Sequence, residues 1–373
     1  MIYLDNAATT RPDEEALEIA ERYYKENYFN PSALYAGGLE VKKKIAEVKS
    51  KILSVFPTGY DMIFTSCGSE SDNMAVSSFA KRGNIVTTEG EHSAIYECFN
   101  ELKKRGVETR FAKLNPDGGV NVDSLLSLVD EKTSVVSVVR VNNETGAIND
   151  VNEIAGRVKK INPSTVFHSD GVQAFGKLPT AISDKVDLYS ISAHKIGGLK
   201  GTGGLVFKKS VRLVPLIFGG GQENGLRSGT ENVFGIIDFG AAAYKRLERI
   251  SENYSKIAEL KRIFLDNLDK RFIKIISGEN ASPYILSLSA FGLRGEVILH
   301  MLEEFGVIVG TGSACSSRMR HSRVLKACGY NAGVLDGAIR ISFGVDNTKD
   351  EVIFAAEKLG ECVNKLKGVM DRR

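Results

Sequence analysis

Short runs of apolar and β-branched residues recur along the chain, at positions 62–65, 84–88, 107–112, 134–141, 165–169, 187–193 and 204–207. Between most of them lie stretches with helical patterning, at 72–82, 93–105, 122–130 and 151–160. Strands that alternate with helices predict an α/β fold, a mostly parallel sheet flanked by helices. Ligands of such sheets sit beyond the carboxyl ends of the strands. From about residue 233 to 270 the pattern is one long helical stretch with a break, charged on one face and rich in Ile, Leu and Phe on the other. The grammar then changes. Strands are predicted at 272–277, 285–291, 307–310 and 338–343, and helices at 295–304 and 349–366. This reads as a second, smaller α/β domain.

Composition narrows the class. The 373 residues are 43% hydrophobic and 25% charged, which suits a globular protein with a sizeable core and excludes a mostly disordered chain. Lys plus Arg is 49 against 46 for Asp plus Glu, a net charge of +3. That balance argues against a nucleic-acid or membrane-surface protein. No uncharged apolar run approaches the length of a membrane span. The start, MIYLDNAATTRPDEE, places Asp5 and Arg11 before any apolar stretch, so no signal peptide is expected and a cytoplasmic location is. The five cysteines, at 67, 98, 315, 328 and 362, contain no C-x-x-C pair, so neither a disulfide framework nor a structural zinc site is expected.

The candidate chemistry begins at Ser192-Ala193-His194-Lys195, which follows an apolar run and precedes several glycines. A lysine there, taken alone, is a solvated loop charge. Asp170 ends another run 25 residues earlier, with Gln173 one turn on. A lysine and a carboxylate at the ends of two strands suit pyridoxal phosphate. That cofactor needs an amine for a Schiff base and a carboxylate to keep its ring nitrogen protonated. The competing reading of Asp170 is a helix cap or surface turn. The phosphate needs donors, and TSCGSESD at 65–72 opens a helix after a strand, with Gly68 and Ser69 in an anion-binding position. By itself this is an ordinary capping box. His92 also follows a strand, where an imidazole could stack on a flat cofactor and move protons. His168 and His300 default to structural roles. Cys315 lies in the small-residue loop GTGSACSS, where a thiol is accessible and Arg318 and Arg320 favour its thiolate. Cys98, Cys328 and Cys362 fall in helical patterns and read as core.

The motifs LDNAATT, FTSCGSESDN, GEH, VNNETG, DGVQ, SAHK, GGGQENGLRSGT, GTGSACSS and AIRISFG stand here in one order. Together they resemble the cysteine desulfurases of the NifS/IscS type, pyridoxal-phosphate enzymes of the class-V aminotransferase family with the fold-type I architecture. The resemblance runs from about residue 2 to 365. It implies a large cofactor-binding domain of residues 13–255, and a small domain of 1–12 and 256–373 that carries the Cys315 loop. Lys195 matches the Schiff-base lysine, Asp170 the partner of the ring nitrogen, and Gln173 the residue bonded to the phenolic oxygen. His92 matches the stacked histidine and an acid–base catalyst. Gly68, Ser69, Ser192 and His194 match phosphate contacts, and Thr230 one that reaches in from a second subunit, which implies a homodimer. Asn143 and Arg340 match cofactor and substrate-carboxylate contacts, and Cys315 the cysteine that becomes a persulfide. The implied reaction converts L-cysteine to L-alanine and passes sulfur from Cys315 to an acceptor protein, such as an iron–sulfur scaffold or a tRNA-thiolation enzyme. No resident metal is implied; whether Cys315 ever ligates a transferring iron–sulfur cluster stays open.

Three positions depart from the pattern. Ser69 stands where Thr is common, Leu199 where Pro is frequent, and Tyr35 where His is usual at the site entrance. The 25 residues from Cys315 to Arg340 fit the members with the longer, mobile cysteine loop. A selenocysteine lyase or an aminotransferase of the same fold would share the cofactor residues, though an aminotransferase would not need Cys315. A dinucleotide-binding oxidoreductase is disfavoured because the glycines at 197–204 do not form G-x-G-x-x-G.

Overall fold

The computed structural model describes residues 1–80, 83–312 and 321–370. The strands are β1 (Ile2–Tyr3), β2 (Tyr60–Thr65), β3 (Asn84–Thr88), β4 (Glu108–Ala112), β5 (Thr133–Ser137), β6 (Val166–Asp170), β7 (Leu188–Ser192), β8 (Gly203–Lys208), β9 (Ile273–Ile275), β10 (Ile285–Ala290), β11 (Val307–Ile308) and β12 (Ala338–Ser342). Seven of them form one sheet in the order β2-β8-β7-β6-β5-β3-β4. The pairs β3/β4, β3/β5, β5/β6 and β6/β7 are parallel, and β8 runs against both its neighbours. Six carboxyl ends therefore meet at one edge, as the alternating pattern predicted. Strands β3 and β7 are buried along their whole length, as interior strands of a sheet covered on both faces are.

The run 134–141 yields a strand only to Ser137. Beyond it Val138 and Arg140 still donate to the carbonyls of His168 and Asp170. The chain then turns because Asn142 Oδ1 accepts the Glu144 and Thr145 N–H groups, an Asx-type turn. The long stretch after 233 is two helices, Val233–Glu248 and Ile250–Asn267, broken at Arg249. Among the described residues, two helices longer than ten residues escape the hydrophobic pattern. Glu14–Glu26 buries only Ala16 and Ala20, so it lacks a bulky apolar stripe; Asp13 caps it by accepting the Ala16 N–H. Ala36–Leu53 interrupts its buried valines and isoleucines with lysines.

A second sheet, β12-β10-β9, is antiparallel, and β1 pairs in parallel with β11. One apolar cluster surrounds the large sheet, with Phe64, Phe167, Tyr189 and Phe239 among its members. Another, around Phe264, Leu286, Ile341 and Leu359, lies under the small sheet. We propose these cores as the two domains. The boundary expected at 255/256 falls inside helix Ile250–Asn267, whose buried residues Ile257, Leu260 and Phe264 all join the second core.

The turn after β6 is set by one close approach. A Cβ on Gly171 would lie 2.0 Å from Tyr189 Cζ. Gly171→Ala should therefore lower stability by about 1–3 kcal/mol in denaturant melts, the usual cost of overpacking. The double variant with Tyr189→Leu should lose less than the sum of the two single changes. An unchanged midpoint for the alanine variant contradicts this packing.

Candidate active site

The carboxyl edge of the large sheet carries the residues singled out above. After β2 the chain enters helix Gly68–Ser77 through Cys67, which gives the helix no side-chain cap. Its first N–H groups are left for another partner. A Cβ on Gly68 would lie 2.7 Å from Val172 Cγ2, so only glycine lets this helix start against the turn after β6. After β3, His92 caps helix Ser93–Lys104, its Nδ1 accepting the Ala94 N–H at 3.2 Å. After β6, Asp170 Oδ1 accepts the Val172 N–H at 2.9 Å. After β7, a single 3₁₀ turn, Ala193–Lys195, brings Lys195 back over the edge. Its Nζ donates to the carbonyls of Ala7 at 2.8 Å and Ala8 at 2.6 Å. Gln173 Nε2 donates to the same Ala7 carbonyl, and Lys177 Nζ donates to Gln173 Oε1. The small sheet supplies Arg340, whose Nη1 donates to the Asn143 carbonyl at 2.9 Å and whose Nη2 pairs with Asp5 at 2.8 Å. Arg340 Nε is buried and has no hydrogen-bond partner among the described residues.

These groups enclose a cavity of about 170 Å³. Gly68, Ser69, His92, Asn143 and Asp170 line it, together with Gln173, Ser192, His194, Lys195 and Arg340. Thr230, which the resemblance assigned to a second subunit's phosphate site, borders a separate hollow with Ser66, Glu223 and Arg227. Cys315 lies outside the described residues, as do Arg318 and Arg320. The sequence reading missed Ala7, Ala8 and Asp72. The alanines sit in LDNAATT and act through their carbonyls, which side-chain chemistry does not reveal. Asp72 sits inside FTSCGSESDN and lines the cavity.

Burial dominates the electrostatics. His92 is pushed down to about 4 by burial, helped by the charges of Lys195, Arg323 and Arg340, so its ring is neutral at physiological pH. His194 is pushed down to about 3, by burial and then by Lys195. Burial raises Asp170, against the Val172 N–H bond and the Lys195 charge. Asp72 is raised too, by burial and then by Asp170, so the two carboxyls titrate as a pair. His168 lies beneath them in β6, bonded on both ring nitrogens to Ser137 and Ser190 at 2.9 Å, and is structural as read. His300 is an exposed helix residue beside Glu303. Cys98, Cys328 and Cys362 are buried, and burial pushes the Cys328 thiol up to about 12.

A family model for class-V aminotransferases matches residues 2–353. The chain belongs to that family. It is 35% identical to a protein named cysteine desulfurase IscS from Dictyoglomus turgidum, over 99% of this chain and 96% of that one. It is also 35% identical to a putative cysteine desulfurase IscS 1 from Bacillus subtilis, over 98% and 99%. A solved structure titled NifS-like protein superposes with a TM-score of 0.90 at 36% identity, covering 98% of this chain and 99% of that one. A NifS-like protein from Rickettsia africae gives 0.88 at 31%, covering 97% and 99%. Pyridoxal phosphate is this family's cofactor.

The residues present fit that group. The uncapped helix start at Gly68 and the buried Ser192 hydroxyl, which has no partner among the described residues, are donors suited to a phosphate. A carboxyl destabilised by burial, at Asp170, is relieved by a cationic ring nitrogen. The Lys195 amine stands in the same cavity.

Glu91, beside His92, is fully buried and pushed up to about 8 by burial. The Thr88 hydroxyl and Val139 N–H both donate to its Oε1, and Oε2 has no partner among the described residues. Its folded pKa lies above its ordinary 4.5, so its contribution to stability is complete below about 4.5 and is lost as pH rises through 8. In thermal melts, Glu91→Gln should gain on the wild type from about pH 5 to 8, and the gap should level off above 8. A gap that does not change with pH contradicts this assignment.

Proposed function

We propose that the protein is a cysteine desulfurase that converts L-cysteine to L-alanine and leaves the sulfur as a persulfide on Cys315. Family membership over nearly the whole chain supports this. The observation that carries it for this chain is the convergence of Lys195, Asp170 and Arg340 on one cavity. Pyridoxal phosphate, when bound, supplies an aldehyde that condenses with amines and a ring that withdraws electrons from the substrate's α-carbon.

The chain's residues supply the rest. The carbonyls of Ala7 and Ala8 aim the Lys195 amine, and Lys195 is the base assigned to the substrate Cα proton. His92, neutral in its buried position, can take or give a proton near the substrate sulfur without first shedding a charge. Arg340 holds the substrate carboxylate. Its Nη1 and Nη2 are fixed by Asn143 and Asp5, while its Nε, with no partner among the described residues, keeps a donor for the ligand. The Cys315 thiolate attacks the cysteine sulfur, the C–S bond breaks with its electrons staying on carbon, and protonation of that carbon completes alanine. Cysteine plus enzyme thiol thus gives alanine plus enzyme persulfide, with no external oxidant or reductant.

The assembly proposed is a homodimer in which Thr230 completes the partner's phosphate site. Support comes from the exposed apolar residues Leu216, Ile217 and Phe218 on the same segment, and Leu34 and Tyr35 before helix Ala36–Leu53. A sulfur-acceptor protein, such as an iron–sulfur scaffold or a tRNA-thiolation enzyme, is the proposed onward partner. No helix among the described residues is long and apolar enough to cross a membrane.

Holoenzyme mixed with L-cysteine and no reductant should release alanine and gain protein-bound persulfide in equal amounts, up to about one per chain. Cys315→Ala should abolish both. No alanine from the wild type overturns the function, and full activity in Cys315→Ala overturns the thiol's role.

A further inference from the structure

Arg140 is anomalous. It follows β5, is 6% exposed, and makes hydrogen bonds only to neutral oxygens. Nη1 donates to the Tyr189 hydroxyl at 3.1 Å, and Nη2 to the carbonyl of Thr180 at 2.7 Å and to its hydroxyl. Among the described residues, no carboxylate lies within ion-pair distance of it. A guanidinium does not lose its proton in a protein, so burial cannot neutralise this charge. A buried charge without a counter-charge is strongly unfavourable. Nε and the second Nη1 hydrogen have no protein partner among the described residues.

The side chain borders a groove of about 510 Å³, inside the range of small-molecule sites. Arg140 is the one charged side chain among the residues that line it. The walls are mostly apolar and include three aromatic residues, Phe56, Phe175 and Tyr189. Phe56 stacks on Phe175 with centroids 6.3 Å apart and meets Tyr189 edge-on at 5.5 Å. Leu178, Ile182 and Leu247 complete the lining. The groove is separate from the active-site cavity, although both use the segment after β6. Asp170, Val172 and Gln173 line the cavity, whereas Ala174, Phe175 and Gly176 line the groove.

We propose that this groove binds a small monocarboxylate with an apolar, ring-sized body, its carboxylate paired with the Arg140 guanidinium. A bare inorganic anion would leave the aromatic walls wet. A neutral apolar molecule would leave the guanidinium unpaired. A dicarboxylate would find no second cation among the described lining residues. A single carboxylate on an apolar body satisfies both the walls and the charge. The inference stands on the groove alone and does not depend on the reaction assigned to the other cavity.

The test uses fluorine NMR on the holoenzyme, with 4-fluorophenylacetate as the probe and 4-fluorophenylacetamide as its neutral twin. Saturable binding of the acid is expected, at least about tenfold tighter than the amide, because only the acid pairs with the guanidinium. Arg140→Gln should weaken the acid by at least about tenfold. Because Arg140 also holds Thr180 and Tyr189, that variant could lose its fold. Leu247→Glu therefore serves as a second variant, setting a like charge beside the probe while leaving Arg140 in place, and it should cause a similar loss. Arg340→Gln should leave the affinity unchanged. Equal binding of acid and amide, no saturable binding of the acid up to about 10 mM, or unchanged affinity in Leu247→Glu overturns the proposal. So does loss of binding in Arg340→Gln, which would place the probe in the active-site cavity instead.

Discussion

The active site depends on what the first ten residues do with their carbonyls. The Ala7 oxygen accepts from both Lys195 Nζ and Gln173 Nε2, and the Ala8 oxygen accepts from Lys195 as well. This segment has no freedom to move away. Its start is paired with β11, Leu4 exchanges backbone bonds with Ile308 and Ser342, and Asp5 is bound to Arg340. Thr10 then fastens it to the turn that carries Lys195, donating to the His194 carbonyl and accepting the Gly197 N–H. A two-residue strand and the turn that follows it thus bond to residues of both halves of the molecule. Lys195 from the large sheet and Arg340 from the small one keep their spacing because each is tied to this segment.

Burial is the second constraint, and it works by removing charge where charge is not wanted. His92, His168 and His194 are all held below their ordinary range, so the histidines near the cavity are neutral bases and hydrogen-bonding groups rather than cations. The carboxyls of Asp72, Glu91 and Asp170 are shifted the other way for the same reason. A cationic ligand group beside them is stabilised more strongly than it would be in water. Arg140 escapes this logic because a guanidinium cannot neutralise, and that is why it stands out among the buried groups.

Much of this was legible in the sequence. The alternation of apolar runs and helical stretches gave the parallel sheet, and the ends of those runs located His92, Asp170 and Lys195 at one edge. The resemblance in motifs supplied roles that spacing alone left open, since Lys195 and Asp170 each have an ordinary reading. What stayed hidden has physical causes. Helix Glu14–Glu26 buries only alanines, so it shows no bulky stripe. Ala7 and Ala8 act through backbone oxygens, which every residue has. The burial of Arg140 with no ion-pair partner among the described residues depends on Thr180 and Tyr189, which lie 40 and 49 residues further along the chain.

Lys195 is proposed as the amine that meets the cofactor, although Lys177 is buried nearby and donates to Gln173, which lines the same cavity. Borohydride reduction of the holoenzyme, followed by peptide mapping, decides between them. The pyridoxyl group is predicted on Lys195 alone. A group on Lys177, or a reduced protein that carries none, would contradict the geometry described for this site.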